Sequence, residues 1–109
     1  MNMPTKILFV CAANAQRSPT FANYFEENMK DYAIASAGIY HGYPNQVNEE
    51  ILDWADKIFV MDISQEMFIA RRYPEFLNKV EIIGVSDQYS RDSPELKEII
   101  RYWIKKRGL

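Results

Sequence analysis

The chain has 109 residues, 48% of them hydrophobic and 26% charged, with a net charge of −2. That length supports one domain built on a single core rather than two. The near-neutral balance lacks the basic field of a nucleic-acid binder, and the longest apolar run, Ile7 to Ala13, is about a third of the roughly 20 residues a membrane span requires.

The opening residues Met1 to Lys6 lack the layout of a secretory signal. A single cysteine, Cys11, cannot form an internal disulfide and suits a reducing compartment, so the cytoplasm is the expected location.

A continuous β-branched and aromatic run predicts a buried first strand over 5–10. It leads into Val10-Cys11-Ala12-Ala13-Asn14-Ala15-Gln16-Arg17-Ser18-Pro19. Ser18 as N-cap and Pro19 as first helical residue predict a helix start there. Phe21, Ala22, Phe25 and Met29 recur at helical spacing, with Glu26, Glu27 and Lys30 outward. A second short strand is predicted over 32–37, ended by Gly38, and 38–45 is a loop by its glycines and proline.

Residues 47–54 read as a helix with Val47, Ile51 and Trp54 inward, and 57–61 as a third strand. Ser64 can cap the next helix, which carries Met67, Phe68 and Ile69 before Tyr73-Pro74; Asp62, at the end of the strand, is a further candidate cap. A weaker fourth strand is predicted over 80–85, then a polar turn over 86–93. Ser93-Pro94 repeats the cap-then-proline signal, and Leu96, Ile99, Ile100, Trp103 and Ile104 form the inner stripe of a closing helix. Lys97, Arg101, Lys105, Lys106 and Arg107 read as its solvated face, with positive charge suiting the helix C-terminus.

Four strands alternating with four helices argue for an α/β domain with a parallel sheet covered by helices. Ligands of such sheets bind at the carboxyl ends of strands, beside a switch in strand order. The cysteine loop follows the first strand and therefore lies at that edge.

A tight turn entering a helix gathers backbone N–H groups around an oxyanion, and the helix dipole adds positive charge. Arg17 supplies a planar fork able to grip two phosphate oxygens. Both features favour a thiolate over a thiol, which makes Cys11 a candidate nucleophile. Ser18 can donate to the sulfur, and Asn14 can hold the turn through its side chain. A cysteine after an apolar strand is also commonly a small buried hydrophobe, Ser18 a plain cap and Arg17 a surface charge. The strand before and the helix after tip the balance toward a site.

Val-Cys-x-x-Asn-x-x-Arg-Ser-Pro at the end of the first strand resembles the signature of low-molecular-weight protein tyrosine phosphatases, especially compact bacterial members. Ser36-Ala37-Gly38, Trp54 to Met61 and Asp87-Gln88-Tyr89 resemble further segments of that family, so the likeness spans most of the chain, and 1–109 is expected to form one phosphatase-like domain. The resemblance implies a single three-layer domain, a four-stranded parallel sheet with helices on both faces, and no metal or organic cofactor.

It also implies roles. Cys11 attacks phosphorus and forms a phosphocysteine; Arg17 binds the equatorial oxygens. Asp87 protonates the leaving oxygen and then activates water. Ala12, Ala13, Asn14, Ala15, Gln16 and Ser18 bind the phosphate, and Tyr89 joins them in binding the substrate. Asp92, five residues on, is the alternative acid or else a turn residue before Ser93-Pro94, and Asp62, near the same sheet edge, is read as a helix cap rather than an acid. Tyr89, Tyr40 and Tyr43 are candidates to flank the pocket and stack on an aryl group, or else to pack against their own domain. His41, the single histidine, has no second ligand type beside it in sequence, so no metal is expected.

The chain departs from the family pattern at three places. Gln16 stands where larger relatives carry a second cysteine, which excludes an internal disulfide switch. Ala13 replaces a glycine, so the turn must avoid positive φ there or bear strain. Gln88 replaces the proline of the acid loop. The expected function is a phosphatase for phosphotyrosine proteins or small aryl phosphates, with phosphate or sulfate able to occupy the loop. The alternative is a non-catalytic phosphate- or phosphoprotein-binding module. Arsenate reductases of this fold need additional cysteines, and phosphocysteine sugar carriers generally lack the arginine.

Overall fold

A computed structural model describes residues 3–109. Its elements run β1 (Thr5–Cys11), α1 (Arg17–Asn28), β2 (Tyr32–Gly38), α2 (Glu49–Trp54), β3 (Lys57–Val60), α3 (Ile63–Arg72), a 3-10 turn (Pro74–Lys79), β4 (Val80–Ile82) and α4 (Pro94–Arg107). The four strands form one parallel sheet in the order β2-β1-β3-β4.

Successive side chains of a strand point to opposite faces, and β1 is apolar on both. Ile7, Phe9 and Cys11 face α1 and α4, whose Phe21, Phe25, Leu96, Ile100 and Trp103 complete one cluster. Leu8 and Val10 face the other side, with Leu52 of α2 and Ile69 of α3. The result is three layers, helix–sheet–helix, as expected. The first cluster is aromatic at its centre: Trp103 lies 4.9 Å from Phe59 and 5.7 Å from Phe21, ring centre to ring centre. Among the described residues no helix is long and apolar enough to cross a membrane.

The chain leaves β1 for β2 on one side, then returns past β1 to β3 on the other. The carboxyl end of β1 therefore lies at the switch in strand order, where a ligand crevice opens. Register pairs Cys11 with Gly38 across that edge.

Three local expectations need correction. Ser18 is not the N-cap of α1: Gln16 holds that position without a side-chain bond, and Ser18 lies inside the first turn with its hydroxyl turned to the core. Val47 precedes α2 rather than lying in it, because Gln46 bridges to Gly38 and Asn48 caps the helix. The fourth strand stops at Ile82. Ile83 and Val85 still donate to the carbonyls of Val60 and Met61, but Gly84 at φ 88° swings the chain out of the sheet. Of the two candidate caps for α3, Asp62 takes the position, in a capping box with Gln65, and Ser64 lies inside the first turn; Ser93 caps α4.

Candidate active site

The segment between β1 and α1 wraps around a pocket of about 240 Å³. Its walls are Cys11, Ala12, Ala13, Ala15, Gln16 and Arg17, with Tyr40 and Asp87 from other loops. The amides of Ala13, Asn14, Ala15 and Gln16 donate to no protein acceptor among the described residues. With the uncapped first turn of α1 beside them, they form a concave array of donors suited to an anion.

Ala13 avoids positive φ, so replacing glycine there costs no backbone strain. The left-handed residue is the next one, Asn14, at φ 55°, a conformation asparagine tolerates well. A hydrogen-bond chain holds it. Asn45, itself at φ 59°, donates to Asn14 Oδ1 at 3.0 Å, and Asn14 Nδ2 donates to Ser18 Oγ at 2.9 Å. Ser18 Oγ lies 3.0 Å from Cys11 Sγ and 3.3 Å from the Ala37 carbonyl. Buried Ser18 has thus exchanged helix capping for contact with the sulfur. Cys11 is only 3% exposed, at the floor of the pocket.

Gly38 sets how closely the loop packs. A Cβ there would lie 2.7 Å from the Asn14 amide nitrogen and 2.8 Å from the Ala12 oxygen, too close for any side chain. The amides of Ile39 and Tyr40 then donate to the Ala12 carbonyl at 2.8 and 2.9 Å, which fixes Tyr40 at the pocket rim.

Arg17 is 4% exposed. Its Nη1 donates to Asp62 Oδ2 at 2.8 Å and to the Val85 carbonyl at 2.7 Å. Nε and Nη2 make no hydrogen bond to the described residues, yet no buried side-chain nitrogen is left orphaned. One edge of the guanidinium is anchored, and the other is free to meet a ligand in the pocket. Asp62 therefore caps α3 and holds Arg17 at once. Partial burial pushes its carboxyl up, but hydrogen bonds from Ser64, Arg17 and Gln65 outweigh that and lower it from 3.8 to about 2. It stays ionised opposite Arg17 throughout the neutral range.

The loop between β4 and α4 is pinned at both ends to the start of α1. Val85 is held by Arg17, and the Asp92 amide donates to Thr20 Oγ1 at 2.8 Å. Between these anchors Asp87 reaches the pocket. Asp92, at φ 59°, faces a separate groove beside Tyr24, Lys97 and Arg101. Tyr89 packs against the aromatic cluster and Tyr43 lies over Tyr40 at 6.1 Å, so of the three tyrosines only Tyr40 lines the pocket. Asn14 and Ser18 support the loop from behind rather than lining it. No group of three metal-ligating side chains occurs among the described residues.

Sequence reasoning missed Asn45, the second role of Asp62 and the spacing role of Gly38. Gly38 had a signal, a glycine placed where β2 ends beside the cysteine. Asn45 had none.

No protein-family model matches the chain. A curated relative, the protein-arginine-phosphatase of Geobacillus stearothermophilus, is 27% identical over 100 residues, covering 71% of this chain and 68% of that protein. The solved YwlE arginine phosphatase of that organism superposes with a TM-score of 0.76 at 22% identity, over 96% of this chain and 94% of the other. A low-molecular-weight protein tyrosine phosphatase from T. tengcongensis gives 0.69 at 24% identity, over 91% and 92%. The fold is that of the low-molecular-weight phosphatases. Vibrio vulnificus Wzb, solved in complex with benzylphosphonate, shares it at a TM-score of 0.75 and 22% identity, over 94% of this chain and 98% of that one.

Proposed function

We propose that the chain is a cysteine-dependent phosphatase acting on phosphotyrosine or small aryl phosphate monoesters. One observation carries the reading: Cys11 Sγ, 3.0 Å from Ser18 Oγ, forms the floor of a pocket that also holds the free edge of Arg17 and Asp87. Phosphate oxygens bind the loop amides and Arg17, which leaves phosphorus facing the sulfur. The Cys11 thiolate forms the S–P bond as the P–O bond to the leaving group breaks, and Asp87 gives that oxygen its proton. Asp87 then takes a proton from water as the water attacks phosphorus, releasing inorganic phosphate and the thiolate. Every step uses side chains of the pocket.

Tyr40 at the rim, backed by Tyr43, supports an aryl substrate, as does the benzylphosphonate held by Wzb. The protein-arginine-phosphatase relative supports a second reading, phosphoarginine as substrate of the same site. The free thiol of Cys11 suits a reducing compartment such as the cytoplasm.

Purified protein is expected to hydrolyse p-nitrophenyl phosphate without added metal and to be inhibited by vanadate. Matched peptides bearing phosphotyrosine or phosphoarginine assign the substrate by their relative kcat/KM. Phosphate binding without turnover of any of these esters would make the chain a binding module instead.

A further inference from the structure

A second and larger cavity, about 470 Å³, lies beside the first. Its walls are Ile39, Ser64, Met67, Phe68, Arg71 and Arg72. The five α3 residues fall at i, i+3, i+4, i+7 and i+8, so one helix face makes the floor of a groove two turns long. At 1.5 Å per residue that face spans about 12 Å, the length of about four residues of extended chain.

The groove and the catalytic pocket share a wall. Ile39 lines one, and its neighbour Tyr40 lines the other. Ser64, at the near end, donates through its amide to Asp62 at 2.9 Å, and Asp62 holds Arg17.

Charge points to the occupant. Arg17, Arg91, Arg101 and Arg107 each meet a carboxylate, whereas Arg71 and Arg72 meet none among the described residues. Arg72 rests over the rings of Phe68 and Tyr73, at 5.7 and 6.0 Å, which holds its charge at the groove's far end. In between, Met67 is 45% exposed, a flexible apolar side chain that adapts to varied partners. A symmetric second copy would set these two unpaired cations against their own equivalents, which disfavours self-association through this face.

We propose that this groove docks the segment flanking the phosphorylated residue of a protein substrate, with an apolar side chain on Met67 and Phe68 and acidic residues at Arg71 and Arg72. The inference rests on the phosphatase reading and adds to it that the substrate is a protein with an acidic, apolar flank.

The test compares wild type with the Arg71→Glu/Arg72→Glu double variant. Substrates are two phosphopeptides bearing the residue the wild type hydrolyses, one with an apolar-acidic flank and one with an apolar-basic flank, and p-nitrophenyl phosphate as a substrate too small to dock. Wild type is expected to favour the acidic peptide through KM by about fivefold or more, an advantage that fades in high salt. The variant reverses that preference and leaves p-nitrophenyl phosphate kinetics unchanged. An unchanged peptide preference, or a parallel loss on the small substrate, overturns docking while leaving the phosphatase reading intact. Failure of wild type on every ester overturns the phosphatase reading alone. Fluorescence anisotropy with the same peptides then decides docking, and equal affinity for both proteins refutes it. A dimer in sedimentation that the double variant breaks would assign the groove to a second copy and refute the proposal.

Discussion

Arg17 is anchored before any ligand arrives. Two hydrogen bonds from Nη1 fix the plane of the guanidinium, so its free edge needs little reordering to bind an oxyanion. Asp62 supplies one of those bonds, and its depressed carboxyl has a consequence for stability. A group held at about 2 when folded and 3.8 when unfolded stabilises the fold above pH 3.8 and loses that contribution as pH falls through about 2. Melting temperatures of wild type and Asp62→Asn are therefore expected to differ above pH 3.8 and to converge near pH 2. A constant gap across that range would contradict the assignment. For Asp87 the expectation concerns the leaving group. Asp87→Asn should slow phenyl phosphate by about 10²-fold, whereas p-nitrophenyl phosphate, whose leaving group needs little protonation, changes only a few-fold. An equal effect on both substrates would remove Asp87 as the acid.

At the scale of elements, the site is where β1, β2 and α1 meet, and two contacts set its shape. Gly38 brings β2 against the loop backbone, and the hydrogen-bond chain from Asn45 through Asn14 and Ser18 reaches the sulfur. Gly38→Ala places a Cβ 2.7 Å from the Asn14 amide nitrogen, so loop or strand must move. Because a displacement near 1 Å costs up to about 10²-fold in rate, kcat should fall by roughly that factor. Circular dichroism should stay unchanged, since the strand itself can hold alanine; full activity in the variant would show that the loop tolerates displacement. The two-ended pinning of the loop between β4 and α4, by Val85 and Asp92, replaces the stiffness that a proline at Gln88 would have given.

Across the whole molecule, the parts that depend on local pattern were legible in the sequence. β1 is apolar on both faces because helices cover both, so it reads as a continuous run and its parallel neighbours could be inferred. The helices of α1 and α4 were visible from apolar residues three and four apart. What was hidden depends on tertiary partners. Ser18 before Pro19 carries every mark of an N-cap, yet a buried sulfur and the Ala37 carbonyl claim its hydroxyl instead. Asp62 and Arg17 lie 45 positions apart, and nothing in either segment signals the pair. Gly84 shortens β4 through a positive φ, which a glycine inside a strand pattern permits but does not by itself require.

The fold as a whole delivers one thiol to one pocket, and the proposed reaction depends on that thiol becoming phosphorylated. The most direct measurement is a rapid quench of the reaction with a phosphate ester into denaturant at alkaline pH, where the S–P bond survives, followed by mass spectrometry of the peptide that carries Cys11. A phosphoryl group on Cys11 during turnover, with turnover lost in Cys11→Ser, is the predicted result. Turnover by Cys11→Ser at the wild-type rate, or turnover with no phosphoryl adduct on the Cys11 peptide, would contradict it.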